Sequence, residues 1–218
     1  MKNKYKAVIF DLDGTLIDTL GDIGASANKA LKMGGYPEHN IEDYREMVGW
    51  GLKRLAFLSL PEEDRSEKNT AEVFEALEKF YREEPLVYTK AYPGMTELVS
   101  ILVQRKIKTV VLTNKPDPVA QLIIANLFPL HSFDIVKGEL SGTPRKPDPA
   151  SVWDILVDLD LTPAEVIFAG DSEIDIETAV TSGCFPLGVS WGYRSRETII
   201  KAGAKKIIDI PEELLSML

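Results

Sequence analysis

Two hydrophobic patterns alternate along most of this chain. Short, near-continuous apolar runs rich in β-branched and aromatic residues are separated by stretches in which apolar residues recur every three or four positions. Tyr5 to Phe10, Ile107 to Leu112 and Val166 to Ala169 read as buried strands. Phe133 to Val136, Pro186 to Val189 and Lys206 to Ile208 read as shorter ones. Helical spacing fills Met95 to Arg105, Val119 to Phe128, Ala150 to Val157, Ile174 to Thr181 and Thr198 to Ala202, and the C-terminal end is helical. Strand–helix alternation with apolar strands predicts an α/β fold: a parallel sheet covered on both faces. Ligands in such sheets sit beyond the carboxyl ends of the strands.

One stretch breaks the alternation. From about Asp18 to Glu84 no strand is expected. Leu20, Ile23, Ala27, Ala30 and Leu31 share one helix face, closed by Gly34-Gly35. Ile41 to Val48 predicts a short helix broken by Gly49-Trp50-Gly51, and Leu52, Leu55, Ala56 and Leu58 start another. Val73, Phe74, Leu77, Phe80 and Tyr81 stripe a charged helix that ends before Pro85. Two domains follow: residues 1–17 with 85–218, and an all-helical insertion at 18–84.

Composition narrows the partners. The chain has 218 residues, 44% hydrophobic and 27% charged, ordinary for a globular protein. A net charge of −9 argues against a nucleic-acid partner, which wants a basic face. It also means that local cations must attract any anionic substrate. Cys184 is the only cysteine; it excludes an intrachain disulfide, fits a reducing cytoplasm and reads as a small packed residue. No apolar stretch approaches the roughly 18 residues of a membrane span. Asp11 and Asp13 interrupt any signal-peptide core behind the basic start Met1–Lys6. His39 and His131 lack partners at ligand spacing and read as surface or loop residues, so no zinc site is expected.

The chemistry lies where the strands stop. The first strand runs into Asp11-Leu12-Asp13-Gly14-Thr15. Two carboxylates at the edge of a core are costly unless a hard cation joins them, and Mg2+ takes oxygen ligands while leaving room for phosphate oxygens. The second strand ends in Thr113-Asn114-Lys115-Pro116. Arg145-Lys146-Pro147-Asp148-Pro149 follows, and Val166 to Ala169 runs into Gly170-Asp171-Ser172-Glu173-Ile174-Asp175. Four sites in this order, three of them directly after apolar strands, resemble the haloacid dehalogenase superfamily in its aspartyl-phosphatase branch.

That resemblance implies a doubly wound parallel-sheet core domain with an inserted all-helical cap domain, and Mg2+ as cofactor. It implies Asp11 as the nucleophile and Asp13 as the acid that protonates the leaving oxygen and then activates water. Asp11, the Asp13 backbone carbonyl and Asp171 would bind the metal, with Asp175 supporting it through water. Lys146 would position Asp11 and offset its charge. Thr113 and backbone N–H groups near Asn114 would donate to the phosphoryl oxygens. Gly14 would let the backbone turn sharply beside the phosphate. Glu173 reads as a solvated charge at a helix N-terminus. The nominal dehalogenases lack the second aspartate, so Asp13 argues for phosphate transfer.

Softer matches bear on the substrate. Gly49-Trp50-Gly51-x-x-Arg54-Leu55 and Gly188-Val189-Ser190-Trp191-Gly192-Tyr193-Arg194 resemble phosphoglycolate phosphatases and their close homologues. The implied function is hydrolysis of a small phosphorylated metabolite, 2-phosphoglycolate first, by a monomer or homodimer. Arg45 or Arg54 would fork a substrate carboxylate; either one equally fits a solvated helix face, and Trp50 and Trp191 equally fit packing. A phosphosugar mutase shares the same core residues, and inorganic pyrophosphatase activity is a near neighbour.

Overall fold

The computed structural model describes residues 4–218. Residues 1–3, part of the basic start and of the 1–17 segment, lie outside the described residues. In chain order the elements are β1 (Ala7–Phe10), β2 (Ile17–Asp18), α1 (Leu20–Met33), α2 (Leu52–Ser59), α3 (Glu67–Glu83), β3 (Lys90–Ala91), α4 (Met95–Gln104), β4 (Lys108–Pro116), α5 (Asp117–Leu127), β5 (Ile135–Glu139), α6 (Ala150–Leu159), β6 (Val166–Gly170), α7 (Glu173–Ser182), β7 (Phe185–Val189), α8 (Arg196–Ala202) and β8 (Lys206–Ile208). Short 3-10 turns, including Ile41–Glu46 and Pro211–Met217, fill the gaps.

The chain divides into two compact units. One comprises the residues up to Ile17 with Ala91–Leu218; the other is Asp18–Lys90. In the first unit six strands form one sheet in the order β5-β4-β1-β6-β7-β8, with every pairing parallel. The chain lays down β4 and β5 on one side of β1, then crosses to build β6, β7 and β8 on the other. The order therefore reverses at β1, where α/β sheets open a ligand crevice. Ala7 pairs with Lys108 on one side and with Val166 on the other. Every residue of β1 and β6 is buried, which explains why these strands read as unbroken apolar runs. Ala7, Ile9, Val110, Leu112, Val166 and Phe168 form one sheet face and pack against Val152, Ile155 and Leu156 of α6 and Ala179 of α7. Phe168 is fully buried there; truncation to alanine would cost about 3–5 kcal/mol. Cys184 joins this core.

Three local differences from the sequence reading have clear causes. Strand β4 does not stop at Leu112 but runs to Pro116, with an irregular register between Leu112 and Pro116 against β5. Thr113, Asn114 and Lys115 are therefore strand residues held beside the core. The predicted helix Ile41 to Val48 is a 3-10 turn over Ile41–Glu46, capped by Asn40 and Asp43. Finally, the helical unit extends to Lys90 instead of ending at residue 84. Asp22 on α1 is 2% exposed and accepts from the Tyr88 N–H at 3.0 Å, the Thr89 N–H at 2.8 Å and the Thr89 hydroxyl at 2.6 Å. This one carboxylate binds the returning segment to the helical unit. The two connecting segments, β2 and β3, pair as a two-stranded ribbon.

Candidate active site

Each acidic residue of the site is placed by the backbone that precedes it. The Asp11 N–H continues the β1 ladder by donating to the Ala169 carbonyl of β6 at 2.9 Å. Past Asp11 the chain coils tightly: the Leu12 carbonyl accepts from Leu16 at 3.0 Å and from Ile17 at 3.1 Å, and the Gly14 N–H donates to Ile17. Gly14 has φ of +85°, and a Cβ there would fall 2.4 Å from Oδ2 of Asp171. Only glycine satisfies both conditions. At the end of β6, Asp171 enters the site and Ser172 caps α7. Asp175 closes the cap by accepting from the Ser172 N–H at 3.1 Å and its hydroxyl at 2.6 Å. This capping box turns the Asp175 carboxylate back into the site.

The result is a cluster of opposed charges. Oxygens of Asp11, Asp171 and Asp175 all lie within 4.8 Å of one another, and all three residues are buried. Lys146 Nζ lies 2.6 Å from Asp11 Oδ1 and 2.7 Å from Asp175 Oδ1. Lys115 Nζ lies 2.8 Å and 2.9 Å from the two carboxylate oxygens of Asp13. Four carboxylates thus face two ammonium groups. Burial, then the neighbouring Asp175, pushes the Asp11 pKa well above the carboxylate range, with Lys146 opposing. The same two causes lift Asp171 to about 7, against the Tyr193 N–H and the Thr15 hydroxyl. Burial alone would lower the Lys146 pKa, but Asp11 and Asp175 overcome it and hold the ammonium charged. A buried, oxygen-only, electron-rich donor set of this kind fits a hard divalent cation.

Asp171 is fixed from several directions. Its Oδ1 accepts from the Thr15 hydroxyl at 3.1 Å and its Oδ2 from the Tyr193 N–H at 2.7 Å. The Thr15 carbonyl in turn accepts from the Trp191 indole at 3.0 Å. A Cβ on Gly192 would fall 2.2 Å from that of Asp171. The Trp191-Gly192-Tyr193 segment therefore braces Asp171, and Trp191 supports the site through the Thr15 backbone.

Asp11, Asp171, Asp175 and Lys146 come together in one cluster, with Asp13 beside it on Lys115. Thr113 is buried, and its hydroxyl accepts from the Lys115 N–H at 3.1 Å. The Asn114 side chain clamps the Lys146 backbone, donating to its carbonyl at 3.0 Å and accepting from its N–H at 2.9 Å. Glu173 corrects the sequence reading. It is not a solvated helix charge but pairs with Arg194, 3.2 Å away, because that arginine's buried side chain requires a counter-charge. Arg45 and Arg54 belong to the helical unit, where Arg45 pairs with Glu42 at 2.6 Å and Arg54 lies over the Phe57 ring. Sequence reasoning assigned no role to Lys115, Thr15 or the Tyr193 N–H. Lys115 had a signal, since it lies beside Thr113 and Asn114 in the same strand end.

A parallel sheet that reverses at β1, with carboxylates and lysines gathered at its strand ends, defines a phosphate-handling α/β enzyme. The chain belongs to the haloacid dehalogenase-like hydrolases, whose family model matches residues 8–189, and by its homologues it is a phosphoric monoester hydrolase. It is 30% identical to the phosphoglycolate phosphatase of Haemophilus influenzae over the full length of both chains. It is 31% identical to that of Aquifex aeolicus over 86% of each. Its fold superimposes on the crystal structure of a candidate phosphoglycolate phosphatase from Lactobacillus delbrueckii subsp. bulgaricus with a TM-score of 0.92, at 32% identity and covering 99% of each chain. Among the described residues no helix is long and apolar enough to cross a membrane.

Proposed function

We propose that this enzyme hydrolyses a small phosphomonoester, 2-phosphoglycolate first, through a phosphoryl group carried on Asp11. The observation that carries the reading is Asp11 itself: a buried carboxylate at the end of the switch-point strand, 2.6 Å from Lys146 and grouped with Asp171 and Asp175. An Asp11 oxygen attacks phosphorus, the bond from phosphorus to the ester oxygen breaks, and that oxygen takes the proton of Asp13. Water then gives a proton to Asp13 and attacks the same phosphorus, releasing phosphate and restoring the Asp11 carboxylate. Lys146 keeps Asp11 in place and offsets charge on the transferring group, while Thr113 and the backbone beside Asn114 donate to its oxygens. Asp11, the Asp13 carbonyl and Asp171 would hold Mg2+, with Asp175 behind them. The ion would supply the positive charge that the surplus carboxylates call for.

The 2-phosphoglycolate assignment draws on the relatives' names and on a core that matches them end to end. Its test is Mg2+-dependent phosphate release, measured as kcat/KM, from 2-phosphoglycolate beside sugar phosphates, nucleotides and pyrophosphate. A lead of ~100-fold, about 2.7 kcal/mol of transition-state discrimination, upholds the substrate. Equal rates across the panel remove it and leave the phosphatase chemistry standing. A cytoplasmic location belongs to the same proposal, in keeping with a single buried thiol.

A further inference from the structure

Two lysines enter the site, and only one has a place in the chemistry above. Lys146 serves the nucleophile. Lys115 comes from the end of β4, and its side chain is 2% exposed. Its ammonium lies 2.8 Å and 2.9 Å from the oxygens of Asp13, across 102 residues of sequence. Asp13 is the group that must meet the leaving oxygen. Lys115 therefore marks the leaving-group side of the site, as Lys146 marks the nucleophile side.

We propose that Lys115 reads a negatively charged group on the leaving-group side of the substrate, and so selects esters whose alcohol is itself an anion. The inference rests on the phosphatase reading and deepens it. A buried ammonium is retained only where an anion meets it, and a flexible four-carbon stem lets lysine shift from one anion to a neighbouring one. In 2-phosphoglycolate the carboxylate is separated from the ester oxygen by a single methylene. A group that protonates that oxygen thus stands next to the carboxylate, and a cation gripping both oxygens of Asp13 is close to each. The α/β unit would then carry its own carboxylate reader, independent of Arg45 and Arg54 in the helical unit. A neutral alcohol such as ethylene glycol offers Lys115 nothing in exchange. Discrimination against it should be large, because a site built to pair a charge rejects a ligand that lacks one.

The deciding comparison uses 2-phosphoglycolate and hydroxyethyl phosphate, which differ only in a carboxylate against a hydroxymethyl group. Both are assayed as kcat and KM on the wild-type enzyme, Lys115→Met and Lys115→Arg, with folding checked by circular dichroism and melting temperature. Wild type should prefer 2-phosphoglycolate. Lys115→Met should slow both esters, since Asp13 loses its partner, but it should cut the preference at least ~10-fold through a raised KM for 2-phosphoglycolate. Lys115→Arg keeps the charge and should retain most of the preference. Equal losses on both esters, carried in kcat, would reduce Lys115 to a support for Asp13 and overturn the proposal, as would a wild-type enzyme with no preference. Should wild type hydrolyse other esters but not 2-phosphoglycolate, the substrate assignment falls. The same comparison, made on its best ester with and without an anionic alcohol, then decides Lys115 separately.

Discussion

The Lys146 ammonium lies 2.6 Å from Oδ1 of Asp11, although 135 residues separate them in the chain. The contact aims the carboxylate and opposes the burial and the neighbouring Asp175 that raise its pKa. Asp11→Asn should abolish turnover, with a fall in kcat of at least ~10⁴-fold, and leave the circular dichroism spectrum unchanged. Phosphate release by the purified variant checks this; near-wild-type turnover would remove Asp11 from the nucleophile's role.

Asp13 should matter in proportion to the leaving group. Protonating an alkoxide contributes roughly 10²–10⁴-fold, whereas nitrophenolate leaves without help. Asp13→Asn should therefore lose far more activity on an alkyl phosphate than on 4-nitrophenyl phosphate when the first step is followed by rapid-quench. Equal losses on the two substrates would contradict the acid role.

Crowded carboxylates make the metal-free fold sensitive to pH. The folded Asp171 pKa, about 7, lies above its ordinary value of 3.8, so the folded state binds protons more tightly than the unfolded chain does. Its contribution to stability is complete below about 4 and is lost as pH rises toward about 7. Urea melts in chelator should weaken across that window, and saturating Mg2+ should flatten the trend. At a free concentration 100 times Kd, Mg2+ should add about 2.7 kcal/mol. A chelated protein with the same stability at both pH values would contradict the charge crowding.

Thr15 touches no substrate in this scheme, yet its hydroxyl holds Asp171 at 3.1 Å. Thr15→Val should weaken Mg2+ binding by about 10- to 100-fold, and Thr15→Ser should restore most of it. Isothermal titration with Mg2+ reads this without turnover. Unchanged affinity in Thr15→Val would mean that the Tyr193 N–H suffices.

Within the helical unit, Asp22→Ala would strand the N–H donors of Tyr88 and Thr89. We expect a loss of about 2–3 kcal/mol by denaturant melts. Proteolysis near residues 86–90 should speed up before the rest of the chain becomes sensitive.

What the sequence disclosed follows from where its signals are local. Val8 to Phe10 and Val166 to Ala169 are buried on both faces, so their apolar runs announce central strands without help from neighbours. Asp11, Asp13 and Asp171 stand immediately beyond those runs, and their positions survive any small error in strand ends. Contacts fixed by distant chain were not legible. Nothing near Lys115 indicates that its ammonium meets Asp13, and nothing near Asn114 indicates that its amide grips the Lys146 backbone. The Glu173–Arg194 pair required knowing that the loop after β7 folds back over the start of α7. The boundary at Lys90 was missed for a similar reason: Pro85 is a local stop signal, whereas Asp22 captures Tyr88 and Thr89 from 66 and 67 residues away.

The register of β1 has a consequence for how the molecule is made. Ala7 pairs with Lys108 and Val166, so β1 leaves the ribosome about 100 residues ahead of one neighbour and about 160 ahead of the other. The intervening helical unit is compact over Asp18–Lys90 and can settle on its own contacts in the meantime. During that wait Val8, Ile9 and Phe10 present a bare apolar ribbon, the kind of segment that chaperones hold and that aggregates when they do not. The strand that runs into Asp11 is thus made well before either of its neighbours, and a nascent chain that stops short of β6 lacks Asp171 and Asp175, so it should not yet hold the carboxylate cluster.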